Sequence, residues 1–355
     1  MKRRKFLKKT LKNGSATLVS TIVPFYIMPT KPRLEETVLG HGDFKYRLEK
    51  RWGDLDSEKY PVNNCHEMVM DRQERLFLLT DHTRNNILVY DTSGKLLNSW
   101  SLELKGAHGL SIHDEGGEEF LYITDTASGR VIKTTLSGAI VMELDAPNTI
   151  GAYETNMRYS PTETAVGPNG DIYVSDGYGS QFIVQYDAQG KFIRKFGGDS
   201  FLAVDKFKQA HGVAIDSRDS NYPTLICSAR IKNSFKRFSM DGDYLETFYM
   251  PGLFISRPVI DDENIYSGVC FGMTEGNYNM QLNKGFVTVL DKENKVVSNP
   301  GGTRPTYDEK GKLQLMLQKQ PIFKHCHDVC VDNDKNLYVC QWNAGKIYPY
   351  KLHRV

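Results

Sequence analysis

Short apolar runs separated by polar turns fill most of the chain beyond residue 64. Residues 76–80, 86–90 and 191–196 are typical, since each run has the length of a β-strand and is bounded by Asp, Asn, Ser or Gly. No convincing 3.6-residue helical periodicity accompanies them. The pattern therefore predicts an all-β protein built from many short strands.

The strands recur in units of about 40 to 50 residues, the period of a β-propeller blade. Each unit begins with similar residues, most clearly Ala-His-Gly at 107–109 and again at 210–212. A turn rich in Asp, Asn and Gly follows, and then three further strands. Four short antiparallel strands per unit are the signature of such a blade. The sequence thus predicts an all-β, NHL-like β-propeller.

The spacing of the units predicts six blades. Unit starts near residues 66, 108, 162, 211 and 327 leave room for one less regular blade, whose strands we place within residues 255–291. The last blade is short by one strand, and we expect residues 44–52 to supply it. N- and C-terminal strands would then close the ring and leave no open sheet edge. We expect one domain over residues 34–355.

The first 33 residues differ from the rest and predict an export signal. Residues 2–9 are strongly basic, and residues 16–28 are modestly apolar but interrupted by Ser, Thr and Pro. That stretch is too short for a membrane span. Arg-Arg-Lys-Phe-Leu-Lys at residues 3–8 resembles a twin-arginine signal, which implies a periplasmic or other extracytoplasmic location. An ordinary secretory signal and a basic cytosolic tail are the alternatives.

Charge and cysteine content narrow the function classes. With 45 Lys and Arg against 43 Asp and Glu the net charge is +2, which argues against a nucleic-acid partner because such domains concentrate positive charge. Six scattered cysteines form no zinc-ribbon spacing, and we expect buried thiols. We expect a monomer that binds a small molecule or an oligosaccharide.

Blade geometry brings the candidate chemical groups together. In a four-stranded meander, the loop that enters the inner strand and the turn between the second and third strands lie at the same end. Histidines begin four of the inner strands, and a tyrosine and an arginine occupy second-to-third turns. These residues should ring one mouth of the central channel: His66, His108, His211, His327, Tyr178 and Arg230, with Arg84 and Trp342 nearby.

Several segments together resemble the NHL-type propeller, and more narrowly the lyase domain of the peptidylglycine α-amidating enzyme. They are residues 107–112, 172–178, 210–214 and 327–329, together with Ala-Arg at 229–230. The resemblance covers about residues 64–352. It implies that Tyr178 and Arg230 are active-site residues and that a divalent metal, with zinc the first expectation, binds to His108, His211 and His327. His66 could be a fourth ligand, an acid or base, or simply a repeat residue.

The resemblance also implies a structural calcium ion. The calcium would be held by Asp328 and the main-chain carbonyls of Met68 and Leu110. At two positions, however, the chain differs from the family pattern. Where the family has a second active-site arginine, the aligned residue is Asp81, and Arg84 lies three positions further along. Where the family has a cysteine beside the tyrosine, this chain has glycine. The catalytic groups can therefore be shared while the substrate differs.

These groups suit an elimination reaction. A metal polarises an oxygen, an arginine holds an anion, and a tyrosinate removes a proton as a carbon–oxygen bond breaks. We expect a metal-dependent lyase or dehydratase that acts on a uronic-acid-containing oligosaccharide, because an exported protein with 19 tyrosines offers stacking surfaces for sugars. A peptidyl-α-hydroxyglycine lyase and a non-catalytic NHL binding platform are the alternatives.

Overall fold

In the computed structural model, which describes residues 37–355, the apolar runs pair into six antiparallel sheets. Each sheet is one blade, so the predicted all-β, six-bladed propeller is confirmed. Within these residues, no helix is both long and apolar enough to cross a membrane. The export signal expected at residues 1–33 lies outside the described residues and stays a prediction.

The strands follow one another blade by blade, except that the first two belong to the last blade. These two are β1 (Val38–His41) and β2 (Phe44–Glu49). Blade 1 consists of β3 (Cys65–Met70), β4 (Leu76–Thr80), β5 (Ile87–Tyr90) and β6 (Leu96–Trp100). Blade 2 consists of β7 (Ala107–Glu115), β8 (Glu118–Asp125), β9 (Arg130–Thr135) and β10 (Ile140–Glu143). Blade 3 consists of β11 (Glu163–Val166), β12 (Ile172–Ser175), β13 (Phe182–Tyr186) and β14 (Phe192–Gly197).

The second half of the ring is less regular. Blade 4 consists of β15 (Ala210–Asp216), β16 (Thr224–Ala229), β17 (Ser234–Ser239) and β18 (Tyr244–Tyr249), with a 3₁₀ turn at Arg230–Lys232. Blade 5 consists of β19 (Phe254–Ile255), β20 (Val259–Asp261), β21 (Asn264–Thr274), β22 (Asn277–Gln281), β23 (Phe286–Leu290) and β24 (Val296–Ser298). Blade 6 adds β25 (Cys326–Val331), β26 (Leu337–Gln341) and β27 (Tyr350–Arg354) to the first two strands.

As predicted, N-terminal residues close the ring, but they form two strands instead of one, and the strand that pairs with β27 is shorter than expected. The last sheet has the order β1-β2-β27-β26-β25, and Leu48 of β2 lies opposite Leu352 of β27. The closing strand ends at Glu49, and β1 adds an outer strand that the sequence pattern did not reveal. Trp52 instead packs into the core against Tyr90 and Tyr338, with ring centroids 5.3 and 4.6 Å apart.

The hydrophobic core lies between the blades and runs all the way around the ring. Six clusters of buried side chains each join two neighbouring blades, including one between blade 6 and blade 1. In the cluster between blades 2 and 3, for example, Tyr122 and Leu144 pack with Val174 and Tyr186. Because both faces of every sheet are covered, the second strands read as continuous apolar runs. This packing fixes where the inner strands present their side chains.

Candidate active site

The four inner strands that carry a histidine all break register with their neighbour at that histidine. In β7, Ala107 lies opposite Asp125, but the next paired residue is Leu110, opposite Ile123, so His108 falls in the irregular segment. Strands β3, β15 and β25 break register in the same way at His66, His211 and His327. The inner strand of blade 3 pairs without a break. Bulges redirect side chains, and these four aim imidazoles at the channel axis.

Two of the histidines are followed by glycines that the close approach of neighbouring blades requires. A Cβ atom on Gly109 would lie 2.5 Å from the Thr162 carbonyl oxygen, and one on Gly212 would lie 2.4 Å from Arg257 Cα. Real Cβ atoms do not approach main-chain atoms so closely. The His-Gly pairs of the repeat therefore let adjacent inner strands meet just where the histidines turn inward.

The imidazoles form a buried ring. The centroids of His108 and His327 lie 4.7 Å apart. His66 lies 4.9 Å from each of these two, and His211 lies 4.8 Å from His108 and 4.9 Å from His327. None of the four is more than 5% exposed. The ring thus consists of two triangles that share the His108–His327 edge.

Hydrogen bonds fix which nitrogen of two rings bears the proton. Nδ1 of His108 lies 2.8 Å from the Thr162 carbonyl oxygen, and Nδ1 of His327 lies 3.0 Å from that of His66. Since a carbonyl oxygen only accepts, both Nδ1 atoms donate, and the lone pair is left on Nε2. Metal-binding histidines are usually oriented in this way. His327 Nε2 and both ring nitrogens of His211 are buried and have no hydrogen-bond partner.

Burial keeps these imidazoles neutral. Desolvation holds the pKa of His108, His211 and His327 well below 6.5, and the charges of Arg230 and the neighbouring histidines push in the same direction. Neutral imidazoles are the form that binds metal. The buried, unpartnered lone pairs therefore fit a divalent cation, which would satisfy several of them at once.

The histidine cluster differs from the predicted ligand set in one member. The potential ligand atoms of His66, His108 and His327 all lie within 4.8 Å of one another, so this buried triad could hold a divalent metal. The sequence analysis named His211 in place of His66 and left the role of His66 open. The structure places both beside the shared pair. It brings His66 into the centre without excluding His211.

Tyr178 and Arg230 come to the same mouth, as the blade argument predicted. The Tyr178 hydroxyl donates to Nε2 of His108 over 3.1 Å. Burial raises the pKa of Tyr178, and the charge of Arg230 together with its hydrogen bond works against that rise. Arg230 is buried, and its Nε and Nη2 donate to the Ile255 carbonyl and the Ser256 hydroxyl. These contacts fix the guanidinium beside the phenol.

A cavity of about 480 Å³ opens above the ring and contains groups that sequence reasoning missed. Lys105 and Gln209 stand in the loops that enter inner strands, the same position that singled out the histidines. Gln209 has a left-handed backbone (φ 55°), and its Oε1 is buried without a hydrogen-bond partner. Phe271 lies in the irregular fifth blade, whose strands do not match the repeat pattern of the other blades. The full lining is His66, Asp81, Lys105, Gly106, His108, Thr126, Ala127, Tyr178, Gln209, Arg230, Cys270, Phe271, His327 and Trp342.

Arg84 does not join the site. Its side chain is exposed, and Nη2 donates to the carbonyl oxygens of Glu58 and Lys59. The cavity contains Asp81 at the aligned position, and Lys105 lines it as a second cation besides Arg230. The expectation that Arg84 serves as the second arginine is therefore corrected, because the turn directs its side chain outward.

The groups expected to hold calcium do converge, but around a guanidinium. Arg257 Nε and Nη2 donate to Asp328 at 2.7 and 2.9 Å, Nη1 donates to the Leu110 carbonyl at 2.6 Å, and Nη2 donates to the Met68 carbonyl at 2.9 Å. These oxygens already have a cation of the chain itself. The calcium expectation is corrected accordingly: Arg257 from blade 5 crosses the channel axis and ties four blades together.

Two further buried carboxyl groups face this axial arginine. Glu67 Oε2 lies 3.5 Å and Glu163 Oε2 lies 3.9 Å from Arg257 Nη1. Burial raises the pKa of both glutamates, and for Glu67 the nearby Glu163 raises it further, while Arg257 opposes both rises. One guanidinium against three carboxyl groups therefore favours a proton held between the two glutamates.

We expect replacement of Arg257 by Met to destabilise the fold severely. It would leave the buried Asp328 carboxylate without a cation and with the Met68 N–H as its remaining donor, and it would remove the side-chain donors of two main-chain carbonyls, a loss of about 3 to 5 kcal/mol in the free energy of unfolding. Urea denaturation measures it. Arg72, exposed and paired with Asp114, is the control, and its replacement by Met should cost about 1 kcal/mol or less. A wild-type unfolding temperature that rises on adding calcium would contradict this role for Arg257.

Comparison with known proteins places the chain near two groups of curated sequences. No model of a known protein family matches it. It is 29% identical to human NHL repeat-containing protein 3 over 181 residues, 48% of this chain and 51% of that protein. It is 34% identical to rat peptidylglycine alpha-amidating monooxygenase over 240 residues, 62% of this chain and 23% of that protein. A Caenorhabditis elegans "Probable peptidyl-alpha-hydroxyglycine alpha-amidating lyase" matches at 34% over 87 residues, 24% of each chain.

Similar solved structures confirm the fold, and at their low sequence identity they indicate the fold alone. Streptogramin B lyase superimposes with a TM-score of 0.55 at 14% identity, over 87% of this chain and 97% of that one. A gluconolactonase from Xanthomonas campestris has a TM-score of 0.55 at 13% identity, over 87% and 89%. The chain spans about half the length of the NHL protein and about a quarter of the monooxygenase. It is a six-bladed β-propeller with distant similarity to NHL repeat proteins and to peptidyl-α-hydroxyglycine α-amidating lyases.

Proposed function

We propose that this protein is a metal-assisted lyase for a small carboxylate-bearing substrate, with a peptide ending in α-hydroxyglycine as the first candidate. The observation that carries the proposal is the position of the Tyr178 hydroxyl, 3.1 Å from a ring nitrogen of His108 and beside the buried Arg230. A potential base, a fixed cation and a metal-binding set thus share one cavity. A binding platform requires none of these buried polar groups, whose desolvation is unfavourable.

The residues divide the chemistry among them. A divalent metal held by the histidines would act as a Lewis acid on a substrate oxygen. Arg230, whose guanidinium is fixed by Ile255 and Ser256, binds the substrate carboxylate, and Lys105 adds positive charge at the mouth. Tyr178 would act as a phenolate, the form that the charge of Arg230 and a bound metal would favour, and in that form it would take the proton of the substrate hydroxyl.

The reaction balances without any further reagent. The O–H bond of the α-hydroxyglycine breaks, its proton passes to the Tyr178 phenolate, and the oxygen forms the C=O bond of glyoxylate. The carbon–nitrogen bond breaks, and its electron pair leaves with the amide nitrogen, which takes the proton back. The products are a peptide amide and glyoxylate. Similarity to the curated lyases favours this substrate.

Elimination from a uronic acid, the reaction expected from the sequence, would use the same base and the same cation. Tyr178 would take the proton beside the carboxylate, and the carbon–oxygen bond on the next carbon would break. Phe271 and Trp342 line the cavity and offer stacking surfaces for either kind of substrate. The side chains of Tyr278 and Met280 on β22, and of Leu282 just after it, are exposed in the hairpin that continues from the strand of Phe271. This surface could contact a peptide or a sugar chain, so the choice of first substrate rests on similarity to the curated lyases.

One assay separates these substrates. Purified protein with measured metal content should release glyoxylate from an N-acyl-α-hydroxyglycine and form no ultraviolet-absorbing unsaturated uronate from uronate oligosaccharides. We expect a rate at least 10³ times that of chelator-treated protein. Absorbance gain from uronates alone would replace the first substrate with the second. Absence of turnover on both with the metal bound would refute the lyase and favour the binding platform.

A further inference from the structure

We propose that His66 is a fourth ligand of the metal centre and that Asp81 is the residue that positions it. The site would then be a four-imidazole centre made of His66, His108, His211 and His327. This inference deepens the proposed function, because it concerns the metal that the lyase would use. It gives a role to His66 and Asp81, neither of which acts on the substrate in the proposed reaction.

The position of His66 matches that of His211. Both rings flank the His108–His327 pair at 4.8 to 4.9 Å, from opposite sides of the shared edge. Both begin an inner strand at a break in register. A cation bound to Nε2 of His327 would therefore have an imidazole on either side, and the ligand atoms of His66 lie within 4.8 Å of those of His108 and His327.

The hydrogen bonding of His66 is incomplete in a way that a metal would complete. Its Nε2 lies 3.5 Å from Oδ2 of Asp81, whereas its Nδ1 is buried and has no partner. A proton on Nε2, facing the carboxylate, leaves the lone pair on Nδ1. Leaving such a nitrogen unpaired in the interior is unfavourable, and coordination would remove the penalty.

Asp81 is itself held rigidly. The main-chain N–H of Asn64 donates to Oδ1 over 2.9 Å, and Nδ2 of Asn64 donates to Oδ2 over 2.7 Å. A carboxylate fixed behind a histidine raises the basicity of the ligating nitrogen and fixes the orientation of the ring.

Comparison with blade 3 shows that the contact between Asp81 and His66 is not a general feature of this turn. In blade 3 the equivalent Asp176 also accepts from the loop before the inner strand, through the Ser160 N–H at 2.7 Å. Its other oxygen accepts from Ser180 N–H and the Tyr153 hydroxyl. Blade 3 has no histidine in the ring, and the second carboxylate oxygen is used to hold the turn. In blade 1 that oxygen faces His66 instead.

Cu²⁺ and Co²⁺ are suitable probes, because their spectra report the number and kind of ligands. The full chain is stripped with a chelator and titrated with each ion alone. We expect copper paramagnetic resonance to show coupling to four imidazole nitrogens in the wild type and to three in His66→Ala, with affinity lowered at least 10²-fold. Asp81→Asn should keep four nitrogens and lose 10- to 100-fold in affinity. His113→Ala, a control at the opposite end of β7, should match the wild type.

The outcomes keep this inference apart from the lyase proposal. His66→Ala with wild-type affinity and an unchanged spectrum would overturn the fourth ligand even if turnover is found. Four-nitrogen coupling in a protein that turns over neither substrate would support the centre and refute the lyase. Asp81→Asn with unchanged affinity would remove Asp81 from its positioning role. Because Asp81 lies near the surface of the cavity, that variant tests the inference even if His66→Ala fails to fold.

Discussion

Replacement of His327 by Ala should strip the protein of its metal and abolish turnover. His327 belongs to both triangles of the ring, its Nδ1 is held by the His66 carbonyl, and its Nε2 has no hydrogen-bond partner. Without His327, the rings of His66 and His211 each keep only His108 as a neighbour, so no three adjacent imidazoles remain to surround the metal. We expect metal content after dialysis to fall below about a tenth of the wild-type value, with activity reduced about 10³-fold or more.

Elemental analysis and the glyoxylate assay measure the two effects on the same preparation. His353→Ala is the matched control, because His353 is partly exposed in β27 and pairs with Glu49, outside the cavity. A thermal unfolding curve of metal-free wild type gives the reference for folding. A His327→Ala protein that keeps full metal and full activity would contradict the metal centre as described.

The fold could be predicted from sequence because each blade repeats the same local pattern. Leu76–Thr80 is apolar throughout, since blades cover both of its faces, and the tight turns are marked by Asp, Asn and Gly. The missing strand of blade 6 pointed to the N-terminal segment, and β2 does pair with β27. The additional strand β1 escaped notice because its four residues lie at the outer edge, where half-exposed positions carry little pattern.

The mouth of the channel was predictable for a topological reason. Residues that enter an inner strand share one end of the blade with residues between the second and third strands, so His66, His108 and Tyr178 had to meet. Topology does not fix side-chain direction, however. Arg84 obeys the same rule and yet turns outward to bind main-chain oxygens of residues 58 and 59.

Arg257 could not be predicted because its blade departs from the repeat. The inner strand of blade 5 is reduced to two short pieces, Phe254–Ile255 and Val259–Asp261, and the arginine lies between them. Its partners come from inner strands far away in sequence: Glu67, Glu163 and Asp328. The family resemblance alone indicated a calcium ion at the Asp328 carboxylate and the neighbouring carbonyl oxygens. Only the folded chain shows that a side chain supplies the positive charge.

Replacement of Tyr178 by Phe should separate chemistry from metal binding. The ring of Tyr178 packs edge-on against His108 and His211, with centroids 5.1 and 5.6 Å away, and phenylalanine keeps these contacts. What disappears is the hydroxyl that donates to His108 Nε2 and stands beside Arg230. Metal content and unfolding temperature should therefore stay close to those of the wild type.

Turnover of the Tyr178→Phe variant should fall by about 10² to 10⁴, the scale for losing a positioned acid or base. The decrease should appear in kcat rather than in KM, because Arg230 still binds the carboxylate. Tyr90→Phe is the control: Tyr90 is fully buried, and its hydroxyl donates to the Gly53 carbonyl, away from the cavity. If Tyr178→Phe turned over substrate at the wild-type rate, proton transfer would belong to another group of the cavity. The lyase reaction itself would stand, because turnover had been observed, and His66 and Asp81, which line the same cavity, would be the next groups to test as the base.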